Sequence, residues 1–327
     1  MNILITGGAG YIGSHICENL INKENKIVLL DNLKTGHKKL INKKAIFVMG
    51  DIKDTNLVKK IIFQYNIKII IHLAAYLNIK EAEKNKKKYK QNNILGTKNL
   101  IQACKGANIK SFIFSSSCSV YGNAKGKVNE KKKLKPHGYY AYTKLKSEEL
   151  IKKYSKIYNF KFAILRYFNV AGASPSGKIG EIESSHGHLI KNFAIQSLKK
   201  NPKINIYGTN YPTKDGTCVR DYIHVSDLAD IHIKIIKFLI KKKKSIILNC
   251  GYGMGYSVKE ISHIFKKFKK NLKINYQKRR LGDVSSVYSD DAKLFKTIKW
   301  KPKFNNINKI IKSSIIWEKK LSKFSKI

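Results

Sequence analysis

The apolar run Ile3–Thr6 breaks at once into Gly-Gly-Ala-Gly-Tyr-Ile-Gly, residues 7–13, and a helix-like stretch follows from Ser14. Gly7, Gly10 and Gly13 recur every three residues, with Gly8 added. Strand, glycine turn and helix in that order are the setting the dinucleotide fingerprint requires. One glycine permits the tight turn, one lets backbone approach a pyrophosphate, and one lets the helix pack on the strand. The pyrophosphate then rests on the positive end of the helix, over Tyr11, Ile12 and Gly13. Asp31 closes the next apolar run. A carboxylate there, with Asn32 beside it, suits the hydroxyls of an adenine ribose and repels a 2′-phosphate. The cofactor predicted is therefore NAD rather than NADP. Asp51 and Ile52, after the third run, are placed to meet the adenine.

The first half continues in the same rhythm. Ile3–Thr6, Ile27–Asp31, Ala45–Gly50, Ile69–Ala74, Phe112–Ser116 and Phe162–Tyr167 are β-branched runs bounded by turn residues, and read as buried strands. Between them Ser14–Lys23, Asn56–Tyr65, Lys87–Gly106 and Tyr140–Tyr158 read as helices. This alternation predicts an α/β fold, a Rossmann-type doubly wound parallel sheet. After about Ala171 the rhythm breaks, with Gly, Ser and Pro clustered at Gly172–Gly180. Two units are expected: residues 1–170 as an NAD-binding domain, and 171–327 as a smaller C-terminal α/β substrate-binding lobe. Ser245–Cys250 is expected to return to the first sheet.

The net charge is +45 over 327 residues. Such a value invites a nucleic-acid or anionic-membrane partner. The lysines, however, are scattered through every segment and do not alternate with aromatics on one face. Solvated surface lysine accounts for them, and a nucleic-acid partner is not expected. Arginine occurs only at Arg166, Arg220, Arg279 and Arg280, so 62 of the 66 basic residues are lysine. A position that stays arginine needs the planar fork that grips carboxylate or phosphate with two bonds, so these four are the first candidates for anion contacts. Five cysteines without a C-x-x-C pair indicate neither a disulfide framework nor a zinc site, and no metal is expected. Met1 leads straight into a strand, so no signal peptide is expected. The apolar stretches Ile69–Ala75 and Ile231–Ile240 are too short to span a bilayer. A cytoplasmic protein without a membrane partner is predicted.

Proton-coupled hydride chemistry on this fold calls for Tyr-x-x-x-Lys. With 18 tyrosines and 62 lysines, about three such pairs arise by chance, and four are present: Tyr76/Lys80, Tyr121/Lys125, Tyr140/Lys144 and Tyr142/Lys146. Context selects Tyr140/Lys144. Tyr76 and Tyr121 follow strands with no helix start, whereas Tyr140-Ala-Tyr-Thr-Lys144-Leu-Lys-Ser-Glu148 opens a long helix that stacks both groups on one face. A phenol, with a pKa of about 10, is a poor base at neutral pH. An ammonium one turn away and a positive nicotinamide favour its phenolate. Upstream, Phe112-Ile-Phe-Ser-Ser-Ser117 is a strand ending in hydroxyls, and Ser117 is expected to hydrogen-bond the oxygen that gains and loses the proton.

Together these residues resemble the UDP-glucose 4-epimerases of the extended short-chain dehydrogenase/reductase superfamily. The likeness covers nearly the whole chain: TGGAGYIG, LDNL at 30–33, GDI at 50–52, NNILGT at 92–97, FSSSCSVYG, LRYFNVAGA at 165–173 and GTCVRDYIHVSDLA at 216–229. The similar sugar-nucleotide 4,6-dehydratases carry an Asp-Glu pair where this chain has Cys118-Ser119. The resemblance implies catalytic Tyr140, Lys144 and Ser117. It implies that Leu73, Ala74, Ala75, Leu77 and Asn92 line the NAD and that Phe168 packs against it. It implies Asn169, Arg220 and Arg280 on the substrate diphosphate, His188, Leu189, Ile206 and Tyr207 on phosphate and uracil, and Asp283 on the uridine ribose. Leu77 stands where some members have lysine, and the loop from Ser117 to Tyr140 is lysine-rich and short.

The reading implied is interconversion of UDP-glucose and UDP-galactose, with a 4-keto sugar that swings to show its other face and NAD regenerated in each turnover. Val287 is small and falls near the expected hexose, which leaves room for an N-acetyl group. A related epimerase on UDP-GlcNAc or UDP-glucuronate is the alternative, and a basic, non-catalytic dinucleotide-binding protein that contacts RNA or DNA is the competitor from another class. The resemblance also implies a homodimer, formed through helices near Asn92–Cys104 and Tyr140–Tyr154.

Overall fold

The computed structural model describes residues 1–21, 25–182, 188–280 and 282–324. Its main sheet has seven strands, in the spatial order Ile246–Cys250, Lys161–Tyr167, Ser111–Ser117, Ile69–His72, Asn2–Thr6, Lys26–Asp31 and Ile46–Met49. Every neighbouring pair is parallel. The order runs outward in both directions from Asn2–Thr6, so the sheet is doubly wound, as the alternation predicts. Parallel strands place all their C-terminal ends on one edge. Gly7, Asp31, Ser117 and Phe168 therefore gather there, with the crevice opening where the winding reverses, between Asn2–Thr6 and Ile69–His72.

The strands read as continuous apolar runs because helices cover both faces. On one face Ile3, Ile5, Leu29, Ile71 and Ile113 pack with residues of helices Tyr11–Leu20 and Val225–Lys242. On the other, Leu4, Val28, Ile70, Phe112 and Ile164 pack with residues of helices Thr55–Gln64, Gly96–Gln102 and Tyr139–Ile157. Each such apolar side chain, once fully buried, contributes about 1.5–3 kcal/mol relative to exposure.

The helix expected over Lys87–Gly106 is present but broken. It runs as Lys86–Tyr89, a π-helical stretch at Lys90–Leu95, and Gly96–Gln102. The wider turn buries both Asn92 and Asn93, a local distortion of the kind that favours functional sites. The expected helix Ser14–Lys23 forms as Tyr11–Leu20, with Ile21 as its extended C-cap; residues 22 and 23 of the expectation lie outside the described residues.

A second sheet joins Gly255–Ser257, Val219–His224, Ser286–Ser289 and Gly126–Val128, with Asn169–Ala171 beside Val219–His224. A third pairs Lys203–Tyr207 with Lys273–Gln277. Two strands join a sheet away from most of their neighbours in the chain. Ile246–Cys250 joins the main sheet beside Lys161–Tyr167. Gly126–Val128, inside the loop that follows Ser117, joins the second sheet beside Ser286–Ser289. That loop is thus not a plain connector, because its backbone donors and acceptors find their partners on a distant strand. Among the described residues, no helix is long and apolar enough to cross a membrane.

Candidate active site

The glycine turn is built by steric exclusion. Gly7 has φ +71°, and a Cβ there would lie 2.8 Å from the Ala74 nitrogen. A Cβ on Gly13 would lie 2.3 Å from the Gly7 carbonyl oxygen, so helix and turn fit together only without one. At Gly10 an added Cβ would meet only that same oxygen, at 3.2 Å, which leaves the outer side of the turn open to a ligand. Gly10 caps the helix with no side-chain bond to its first turn, where the Tyr11 and Ile12 amides lie. The Tyr11 side chain itself is committed elsewhere, its hydroxyl donating to the Gly172 carbonyl at 2.6 Å.

Asp31 is 8 % exposed and accepts from the Ala9 and Leu33 amides at 3.0 and 2.9 Å. Burial pushes its carboxyl up against those two bonds. Asn32 donates to Asp51 at 3.0 Å. Burial also pushes Asp51 up, but the Lys53 amide, Asn32 and the ammoniums of Lys53 and Lys34 outweigh it and hold the carboxyl low. Ile52 is 4 % exposed, and its side chain packs under Gly96. This cradle of glycine turn, helix N-terminus and strand-end carboxylate fits a dinucleotide.

On the other side of the crevice, Leu73, Ala74, Ala75 and Leu77 form a half-buried coil after Ile69–His72. Asn93 pins that coil to the long helix. It accepts from the Tyr76 amide at 2.9 Å and from Asn92 Nδ2 at 3.1 Å, and donates to the Tyr76 carbonyl at 3.1 Å and Thr143 Oγ1 at 3.2 Å. Below it, His72 sits between Thr6 Oγ1 and Thr97 Oγ1, each at 2.8 Å. Thr97 spends its proton on the Asn93 carbonyl, so Nε2 of His72 is the donor and Nδ1 accepts from Thr6. Burial, with Lys144 nearby, holds this imidazole neutral, its pKa pulled down to about 3.

The four Tyr-x-x-x-Lys pairs separate by environment. The ring of Tyr76 lies under Lys88, not Lys80. The Tyr121 hydroxyl is enclosed, donating to Asn249 and accepting from Arg166. Tyr142 is 40 % exposed, and Lys146 pairs with Glu149 at the surface. Tyr140 and Lys144 face inward at the start of Tyr139–Ile157. Lys144 is 2 % exposed, donates to the Ser115 carbonyl at 2.7 Å and lies 5.9 Å from the centre of the Tyr140 ring. Burial draws Lys144 down to about 7, against the pull of Glu148. Burial likewise pushes the Tyr140 phenol up, opposed by a hydrogen bond from Ser117. Ser117 also accepts from the Ser119 amide at 3.2 Å, so one hydroxyl caps backbone and serves the phenol together.

Phe168 is 4 % exposed and clusters with Val120, Tyr121, Val128 and Val287. Val287 and Arg220 are neighbours in register across Val219–His224 and Ser286–Ser289. The charge of Arg220 is felt by Cys118, next to Ser117. Asn169, His188 and Leu189 line one small cavity with Glu181, Lys191 and Tyr222. His188 Nδ1 lies 2.6 Å from Glu181, whose carboxylate outweighs burial and raises the imidazole. Arg280 stacks over Tyr207 at 3.7 Å, and Arg279 over Tyr211 at 4.1 Å. Asp283 is exposed and close enough to Tyr211 and Cys218 to influence both.

Two sequence expectations need correction. Arg166 is no ligand contact: it is 2 % exposed and its fork grips Glu148. The need for an arginine was read rightly from the sequence, but the anion is internal. Ile206 is fully buried, backbone included, so it offers a ligand no surface, whereas Tyr207 beside it is half-buried. Asn93, His72 and Glu148 were missed. Glu148, four residues after Lys144, carried the one readable signal, a carboxylate on the same helix face.

A doubly wound parallel sheet with a glycine turn, and a tyrosine, lysine and serine at one edge, defines the short-chain dehydrogenase/reductase class. The chain belongs to the NAD dependent epimerase/dehydratase family, whose model matches residues 3–251, and within it to the UDP-glucose 4-epimerases. A UDP-glucose 4-epimerase of Lactobacillus helveticus is 41% identical over 322 residues, covering 98% of this chain and 97% of the relative. The crystal structure of a UDP-glucose 4-epimerase from Stenotrophomonas maltophila, with bound NAD and formylated UDP-arabinopyranose, is 32% identical with a TM-score of 0.94, covering 99% of each chain. One from Bifidobacterium longum, in complex with NAD+ and UDP, is 31% identical with a TM-score of 0.90, covering 98% of each.

Proposed function

We propose that this chain interconverts UDP-glucose and UDP-galactose by NAD-dependent epimerisation at C4. The convergence of Tyr140, Lys144 and Ser117 at the sheet edge, beside an open glycine turn, carries the reading. Residues 1–170 with strand Ile246–Cys250 hold NAD through Gly7, Gly10, Tyr11, Ile12, Gly13, Asp31, Asn32, Asp51, Ile52, Asn92, Phe168 and the coil Leu73–Leu77. Bound NAD supplies a hydride acceptor that returns the hydride to the same carbon. Tyr140 takes the proton of the 4-hydroxyl and gives it back, and Ser117 hydrogen-bonds that oxygen throughout. Lys144 holds a positive charge one turn away, which favours the phenolate.

Residues 171–327 hold the nucleotide. Asn169, at their boundary, with Arg220 and Arg280 grips the diphosphate. His188, Leu189 and Tyr207 take phosphate and uracil, and Asp283 takes the ribose. Strong binding at the nucleotide end lets the 4-keto sugar turn over without leaving. Val287 lies beside the hexose.

The protein works in the cytoplasm, where its five cysteines, none paired in a disulfide, stay reduced. It forms a homodimer through the helices near Asn92–Cys104 and Tyr140–Tyr154, beside which Lys90, Ile94, Tyr139 and Tyr142 line a surface groove.

Purified protein mixed with UDP-galactose, without added NAD, tests the function. UDP-glucose should accumulate to a fixed ratio. No product, with or without added NAD, sinks the reading.

A further inference from the structure

The helix Tyr139–Ile157 carries a carboxylate that the scheme above leaves unused. Glu148 lies one turn beyond Lys144 on the same face and is fully buried. A buried carboxylate must be held by partners. Arg166 donates from Nε to Oε1 at 3.0 Å and from Nη2 to Oε2 at 2.8 Å. Ser116 Oγ donates to Oε1 at 2.6 Å.

Ser116 is the informative partner. It lies between Ser115, whose carbonyl takes the Lys144 ammonium, and Ser117, whose hydroxyl meets Tyr140. Glu148 therefore ties the strand end to the helix at the level of both groups. The tie continues outward. Arg166 Nη1 donates to the Tyr121 hydroxyl at 3.0 Å, Tyr121 donates to Asn249 at 2.7 Å, and Asn249 Nδ2 donates to the Val128 carbonyl at 2.9 Å. Val128 ends the strand that joins the second sheet beside Val287.

We propose that Glu148 is a positioning residue for the epimerisation: it locks the end of strand Ser111–Ser117 to the helix, so that Lys144 and Ser117 converge on Tyr140. The inference rests on the proposed roles of Tyr140, Lys144 and Ser117. Facing Lys144 are Tyr140 and Glu148 from its own helix, His72 from Ile69–His72, and the Phe114 ring and Ser115 carbonyl from Ser111–Ser117. Arg166 and Tyr121 stand behind Glu148. Glu148 is the group that opposes the fall of Lys144 toward neutrality.

Two variants of the whole enzyme test this, with UDP affinity measured by calorimetry beside turnover. Ser116→Ala keeps the Arg166–Glu148 pair and cuts only the tie to the strand. It should lower kcat about tenfold, with KM for UDP-galactose and UDP affinity within about twofold. Glu148→Gln keeps the shape and removes the charge. It should lower kcat about a hundredfold, and activity should be lost at lower pH on the alkaline side, because Lys144 gives up its proton sooner. If Glu148→Gln does not fold, Ser116→Ala carries the test alone. Unchanged kcat, or loss of UDP affinity in step with kcat, overturns the inference. An inactive wild type overturns the functional reading and this inference together, whereas an active wild type with unaffected variants overturns this inference alone.

Discussion

Around the glycine turn the ligand-facing surface is mostly backbone and buried polar groups. Gly7 and Gly13 close on neighbouring main chain, and Asp31, His72, Asn92, Asn93 and Lys144 are each under a tenth exposed. Across the cleft, Arg279, Arg280 and Asp283 are exposed, and the two arginines lie on aromatic rings. The first side is set by folding itself, whereas the second depends on long side chains that a ligand must order. That division suits a cofactor that stays bound and a sugar that must turn.

Substitutions can break this contrast. The largest effect is expected from Tyr140→Phe, which should cut turnover of UDP-galactose by about a thousandfold or more while bound NAD and UDP affinity persist. Tyr142→Phe in the same assay should change kcat by less than about twofold, because that ring faces outward. Next comes Gly13→Val, which drives a side chain into the Gly7 carbonyl. The purified protein should then lose its nucleotide, read as released NAD per chain, with UDP affinity less affected. If Arg220 grips the diphosphate as proposed, Arg220→Met should raise KM for UDP-galactose on the order of tenfold to a hundredfold with kcat nearly kept. If kcat falls instead and KM holds, Arg220 belongs to the chemical step.

Acid tests the buried side more gently. His72 is pulled down to about 3, and His15 and His232 to about 4, by burial. A histidine lowered on folding stabilises the native state above its unfolded pKa of about 6.5, and that stability drains as pH falls toward the folded value. His72 alone should cost on the order of 3 kcal/mol by pH 4. Urea unfolding between pH 7 and 4 should show a falling midpoint, and His72→Gln, if folded, should flatten part of that fall. A midpoint independent of pH over that range would contradict the neutral buried imidazoles.

Much of the fold was readable because its signals are local. The β-branched runs, their spacing and the glycine turn lie within a few residues of each other, and each expected strand of the first half is present in the sheet. The site was readable where a motif carried its own context, as at Gly7–Gly13 and at the helix start before Lys144. It was unreadable where one residue type serves two ends. Arg166 and Arg220 look alike as letters, yet one is buried against Glu148 and the other is half-exposed at the cleft. Asn93 gave no signal, because its four hydrogen bonds reach residues 17 and 50 positions away as well as its neighbour.

The amino-acid order by itself determined the doubly wound parallel sheet and the strand–turn–helix at its centre, because hydrophobic period and the absence of a Cβ act over short stretches of chain. The tertiary structure decided which arginine stays internal and that Gly126–Val128 crosses to the second sheet. Burial and partnership depend on residues far apart in sequence, and only the packed chain brings those together.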